Sequence, residues 1–120
     1  MSSAISQSLL PEFDHEVATT RRVLERVPED RPDFRPHPTS MTLARLAGNV
    51  AEIPLWAVMT LGQDELDFNS PGAPLAPAGQ MTTCAALLAG FDKQVGKARA
   101  LPAATSDASM METWTLKSNG

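Results

Sequence analysis

The sequence predicts an all-α fold in a single domain over residues 1–120. Three stretches place apolar side chains at alternating steps of three and four, the spacing that puts them on one face of a helix. Proline- and glycine-rich connections separate these stretches. No segment shows the apolar/polar alternation of a half-buried strand, and no internal repeat is evident.

The first helix is expected over about residues 8–27, where Phe13, Val17, Thr20, Leu24 and Val27 recur at steps of 4, 3, 4 and 3. Pro11 fits its first turn, where a missing N–H costs no internal bond. Glu12, Asp14 and Glu16 then fall toward its N-terminal end and Arg21, Arg22 and Arg26 toward the other, each suited to the helix dipole. Pro28 ends it. Residues 28–39 hold Pro28, Pro32, Pro36 and Pro38, which predicts a stiff, extended connection.

Thr39 or Ser40 is the expected N-cap of a second helix over about 41–61, with Leu43, Leu46, Val50, Ile53, Ala57 and Thr60 as its apolar stripe. Pro54 lies inside that pattern and predicts a kink between Val50 and Pro54. Residues 62–79, rich in Pro, Gly, Asp and Asn, read as a long wrapped loop. The third helix is expected over about 80–101, on Cys84, Leu87, Leu88, Phe91, Val95 and Ala98, with Gly90 and Gly96 weakening it and Pro102 stopping it. A short helical turn capped by Ser106 follows at about 106–112. Trp114 and Leu116, large apolar residues, then mark the start of a further element.

Composition narrows the function classes. The 120 residues are 42% hydrophobic but only 5% aromatic, with no Tyr, so the core is aliphatic. A net charge of -4 without a Lys/Arg cluster excludes the electrostatic footprint of a nucleic-acid binder. No apolar run approaches the roughly 20 residues of a membrane span, and Met1–Leu10 lacks the basic head of a secretory signal. Cys84 is the sole cysteine, so no internal disulfide forms. The expected location is cytoplasmic.

Several segments together resemble the DinB-like family, in its branch of small bacterial members. They are Leu10-Pro-Glu-Phe-Asp-His-Glu16, Thr20-Arg-Arg-Val-Leu-Glu-Arg-Val-Pro-Glu29 and Arg35-Pro-His-Pro-Thr-Ser-Met41, then Leu46-Ala-Gly-Asn-Val-Ala-Glu-Ile-Pro54 with Trp56. Asp64-Glu-Leu-Asp-Phe68, Leu88-Ala-Gly-Phe-Asp92 and Trp114-Thr-Leu116 complete the series, which covers nearly all of the chain. The resemblance implies an up-down-down-up four-helix bundle, commonly dimeric, with three of its four long helices present here. It also implies a divalent metal, nickel or zinc, held by three histidines: one on the second helix and two a turn apart on the last. Some members are transferases or hydrolases that use small bacterial thiols.

Two departures bear on function. The helix-two histidine position of the resemblance is Asn49 in this chain, and the sequence ends at Gly120, ahead of the region matching the last helix. An amide is a poor nickel or zinc ligand beside imidazole. Asn49, three residues after Leu46 and four before Ile53, is expected on the inner face, with Glu52 one turn on as a weak pocket candidate. His15 lies off the first stripe, His37 sits between two prolines, and two histidines on separate elements make no zinc site. Cys84, on an inward stripe, reads as a small buried hydrophobe.

No catalytic, cofactor-binding or metal-ligating residue is therefore assigned, and no cofactor is expected in this chain, against nickel or zinc in the intact family. The expected function is a non-catalytic or degenerate DinB-like bundle of unassigned activity. The alternative is a divalent-metal-dependent transferase or hydrolase acting on a small thiol or related molecule, should a longer parent chain supply the missing histidines. Three helices without a fourth leave an apolar groove, so a homodimer or larger self-association is expected, with no nucleic-acid or membrane partner.

Overall fold

The computed structural model describes residues 3–67 and 83–118; residues 68–79 of the second expected connection and 80–82 of the third expected helix lie outside the described residues. What is described is mostly helical: α1 (Ala4–Leu24), α2 (Leu43–Glu52), α3 (Leu55–Gly62), β1 (Glu65–Asp67), α4 (Cys84–Ala104), α5 (Asp107–Met110) and β2 (Thr115–Lys117).

α1 starts earlier than its apolar stripe suggests, because Ser3 caps it: the Ser3 hydroxyl accepts the Ser6 N–H at 3.2 Å. Pro11 consequently lies inside the helix rather than in its first turn, and the helix continues through it. Glu12, Asp14 and Glu16 are likewise displaced from the N-terminus, since no acidic residue occupies the first turn. The N-terminal charge comes from α5 instead. Asp107 accepts the Ile5 N–H at 3.0 Å, which holds its carboxyl below the usual carboxylate range, with Ser3 assisting. Arg21 and Arg22 occupy the last turn as expected.

The connection before α2 is folded into turns rather than extended. Phe34 N–H donates to the Arg31 carbonyl at 3.2 Å and Ser40 N–H to the His37 carbonyl at 2.9 Å. Its carbonyls then satisfy the first donors of α2: Phe34 accepts from Leu43 N–H at 2.9 Å and Pro32 from Ala44 N–H at 3.0 Å. Thr42, not Thr39 or Ser40, is the N-cap.

The expected kink is a full break between α2 and α3. Pro54 supplies no N–H, and the chain passes it on three-residue bonds, with Ile53 N–H to Val50, Trp56 N–H to Ile53 and Ala57 N–H to Pro54 carbonyls at 3.0–3.3 Å.

α4 is capped twice. The Thr83 hydroxyl accepts the Ala86 N–H at 3.0 Å, and the Glu29 carboxylate accepts the Cys84 N–H from the opposite loop. Pro102 falls inside the last turn rather than ending the helix, which runs to Ala104. The Pro102 carbonyl accepts the hydroxyl of Ser6, a fully buried residue that ties the start of α1 to the end of α4.

α4 is the centre of the molecule, with α1 packed along one side and α2 and α3 along the other; α1 makes no contact of similar extent with α2 or α3. Leu24, Ala44, Ala47, Ala51, Leu87 and Phe91 form the buried cluster, flanked by Val17, Val50, Leu88 and Val95. Two bidentate ion pairs strap α1 to α4. Arg21 meets Asp92 through Nε and Nη2, both at 3.0 Å, and Arg99 meets Asp14 at 2.8 and 3.0 Å.

An element outside the expected all-helical pattern completes the fold: β1 and β2 pair in parallel, Leu66 opposite Leu116. Leu66 is buried, Lys117 pairs with Glu65 at 3.0 Å, and the Trp114 indole N–H donates to the Gln63 carbonyl at 3.0 Å. Leu116 thus belongs to a strand, and Trp114 stands immediately before it. Three-residue strands carry too little alternation to register as strands in a sequence.

Candidate functional site

Because α1 and the α2–α3 pair pack on α4 and hardly on each other, an apolar trough runs between them over α4. One part, about 330 Å³, lies among Phe13, Val17 and Thr20 of α1, Val50, Ile53, Pro54 and Ala57 across from them, and Phe91 below. The second, about 540 Å³, continues toward the start of α1 among Leu9, Leu10, Trp56, Thr60 and Leu61, with Ala98 and Pro102 below. Phe13, Glu16 and Ala57 border both, so the two are continuous. Leu9 and Ile53, at 52% and 55% exposure, stand on its opposite lips. Glu12 and Glu16, both on the α1 side, are the charged side chains lining it among the described residues.

The face of α2 that meets α4 differs from the expected stripe. Ala44, Ala47, Gly48 and Ala51 are buried, whereas Leu46 and Ile53 are about half exposed and Asn49 is exposed. Asn49 therefore does not point inward, and it does not line the trough. Small side chains let α2 approach α4 closely, over Leu87 and Phe91, and that contact sets the helix rotation. Leu46, Asn49 and Ile53 are exposed, and of the three only Ile53 borders the trough. Glu52 is half buried and does not border the trough.

The remaining candidates are dispersed. His15 is exposed on α1. His37 is exposed in the loop, its Nδ1 accepting the Thr39 N–H at 3.2 Å and lying 2.9 Å from the Thr39 hydroxyl. Cys84 is half buried, its thiol 3.4 Å from the Leu24 carbonyl at the α1–α4 contact. Among the described residues, no three His, Cys, Asp or Glu side chains are grouped so as to hold a metal ion. No described helix is long and apolar enough to cross a membrane.

Comparison with protein-family models, curated proteins and solved structures returns no match. The trough is thus read from its own geometry. It has an apolar floor and walls, one acidic lip, and a length set by Leu9 to Thr20 of α1. At 1.5 Å per residue that length is about 17 Å, three turns of helix. Its lining suits an apolar occupant better than a small polar substrate. The sequence did carry a signal for the true α2 face, since Ala44, Ala47, Gly48 and Ala51 also recur at helical spacing.

Proposed function

We propose that this chain is a DinB-like helical bundle that works by association and not by catalysis, its trough being the seat of a further helix. The observation that carries the reading is the trough itself. α1, the α2–α3 pair and α4 together line a continuous apolar channel about three helical turns in length, and a fourth helix would complete a four-helix bundle there. Leaving Leu9 and Ile53 half exposed around such a channel is unfavourable in water, at about 25 cal/mol per Å² of apolar surface. In the isolated chain a second copy covers it, giving a homodimer or a larger assembly. A cytoplasmic location goes with this reading.

Light scattering at micromolar concentration tests it. A dimer or larger species is expected, and Ile53→Glu at the lip shifts it toward monomer while far-UV circular dichroism stays unchanged. A wild-type monomer at these concentrations overturns self-association. Metal analysis of the chain purified without chelators tests the other half: close to one nickel or zinc per monomer replaces the non-catalytic reading with that of a metal-dependent transferase or hydrolase.

A further inference from the structure

We propose that a separate cavity, at the C-terminal ends of α3 and α4, binds a small organic amine in its ammonium form. It adjoins the trough, with Thr60 and Leu61 of α3 bordering both. Its volume is about 200 Å³, below the roughly 300–1,000 Å³ of sites for drug-sized ligands, so its occupant is small. The backbone sets its character first. Thr60 and Leu61 belong to the last turn of α3 and Thr105 is the cap residue of α4, so two helices present their negative ends to one space. α4 is closed there: the Thr105 hydroxyl donates to the Leu101 carbonyl at 2.5 Å and the Thr105 N–H to the Pro102 carbonyl at 3.3 Å. α3 is not closed. Gln63 is extended and returns no N–H to the last turn, and no described donor is bonded to the Thr60 or Leu61 carbonyl. Neither helix carries a basic side chain in its last turn. The lining side chains have the same sign. Asp64 and Glu112 border the cavity, and no basic side chain does so among the described residues; Lys117 is paired with Glu65. Trp114 is half buried at the cavity with its indole N–H given to the Gln63 carbonyl, which leaves the ring its π surface to offer. Open carbonyls, two carboxylates and an indole together suit positive charge and N–H donors. A metal ion is the poorer fit, because no three described His, Cys, Asp or Glu side chains are grouped to hold one and an indole is not a ligand for it. An ammonium group engages all of them, donating its three N–H groups to oxygens and resting its charge against the ring.

The test titrates the full chain with butylammonium chloride in isothermal calorimetry, with potassium chloride and sodium butyrate at the same ionic strength as controls. Saturable binding of one butylammonium per chain is expected, and none of either control. Asp64→Asn with Glu112→Gln is expected to weaken it about tenfold, and because both sites are exposed the far-UV circular dichroism stays unchanged. Trp114→Leu is expected to weaken it about fivefold. Asp30→Asn with Asp33→Asn removes the same charge at exposed positions outside the cavity and is expected to leave binding as it was. Ile53→Glu, in the trough, is expected to leave it unchanged as well, so the amine site and the association reading succeed or fail separately. The absence of saturable binding overturns the proposal, as does an equal response to potassium. Binding that survives Asp64→Asn with Glu112→Gln overturns it too. An equal loss on Asp30→Asn with Asp33→Asn makes the effect one of net charge, and a loss on Ile53→Glu places the amine in the trough; either result overturns the assignment of this cavity.

Discussion

Adjacent positions on α2 respond oppositely to substitution if the helix faces α4 through its small residues. Leu46 is 48% exposed and Ala47 is 4% exposed. Truncating Leu46 to Ala removes three carbons, each worth about 0.8 kcal/mol when wholly buried. Half exposure roughly halves that sum, and at a solvent-facing position no closed cavity forms, so Leu46→Ala costs about 1 kcal/mol. Ala47→Leu forces the same three carbons into the α2–α4 contact beside Leu87 and Phe91, where overpacking costs about 1–3 kcal/mol. Asn49→Ala, at an exposed position, stays within about 0.5 kcal/mol. Urea unfolding followed by circular dichroism, with a common slope for the three variants, measures the ranking. The series is run at two protein concentrations, because a Leu46 cost that grows with concentration reports burial in an assembly rather than in the folded monomer. The opposite rotation of α2, with Leu46, Asn49 and Ile53 against α4, predicts about 2–5 kcal/mol for Leu46→Ala and almost nothing for Ala47→Leu. That result refutes the packing described here.

Other parts of the fold give independent tests. Gly90 and Gly96 lie inside α4 with open space where a Cβ would stand, so Gly90→Ala and Gly96→Ala should each stabilise by about 0.5–1 kcal/mol, seen as a rise of a few degrees in Tm. Ser6→Ala removes the buried hydroxyl that joins Ser3 to the Pro102 carbonyl and should cost about 1–2 kcal/mol in urea unfolding. Gln94 Oε1 is buried and has no hydrogen-bond partner among the described residues, so Gln94→Met should be neutral or stabilising by about 1 kcal/mol; a loss above that size means the amide has a partner. Asp14 and Asp92 are held below the ordinary 3.8, first by hydrogen bonds from Arg99 and Arg21 respectively. A depressed folded pKa gives stability that is complete above the unfolded value and lost as pH falls through the folded one. Melting should therefore be flat above about pH 5 and decline below pH 4, and Asp14→Asn with Asp92→Asn should flatten that decline.

The parts of this fold that were legible in the sequence are those governed by local chemistry. The face of α1 was readable because Val17 and Leu24 are large and stand at helical spacing, and the same holds for Leu87 and Phe91 on α4. The interruption at Pro54 was readable, though as a kink in one helix and not as the break between α2 and α3, because Pro54 has no N–H to give, whatever surrounds it. The boundaries failed wherever a partner distant in sequence decides them. Pro11 and Pro102 look like helix ends until Ser6 on α1 reaches the Pro102 carbonyl and fastens both terminal turns together, 96 residues apart. Ser3 and Asp107 extend α1 toward its N-terminus by the same kind of tertiary contact. The pairing of β1 with β2 is a longer-range event still, invisible in three residues of either strand.

The candidate site failed in the sequence for a different reason, and that reason supports the trough. On α2 two faces compete, one of Leu46, Val50 and Ile53 and one of Ala44, Ala47, Gly48 and Ala51. Weighing residues by apolar size chooses the first, since burying Leu or Ile is worth more per residue than burying Ala. Packing against α4 chooses the second, since small side chains bring two backbones close and let Leu87 and Phe91 fill the space. A helix that spends its small face on one neighbour and keeps its large face half exposed is incompletely buried by the elements described. Val50 and Ile53 then serve as one wall of the channel opposite Phe13 and Val17. The same rotation that takes Asn49 out of the interior thus builds the surface on which the association reading rests. Ile53→Glu probes it directly: that side chain is 55% exposed in the single chain, so the substitution leaves the fold intact and abolishes association only if the trough is where association occurs.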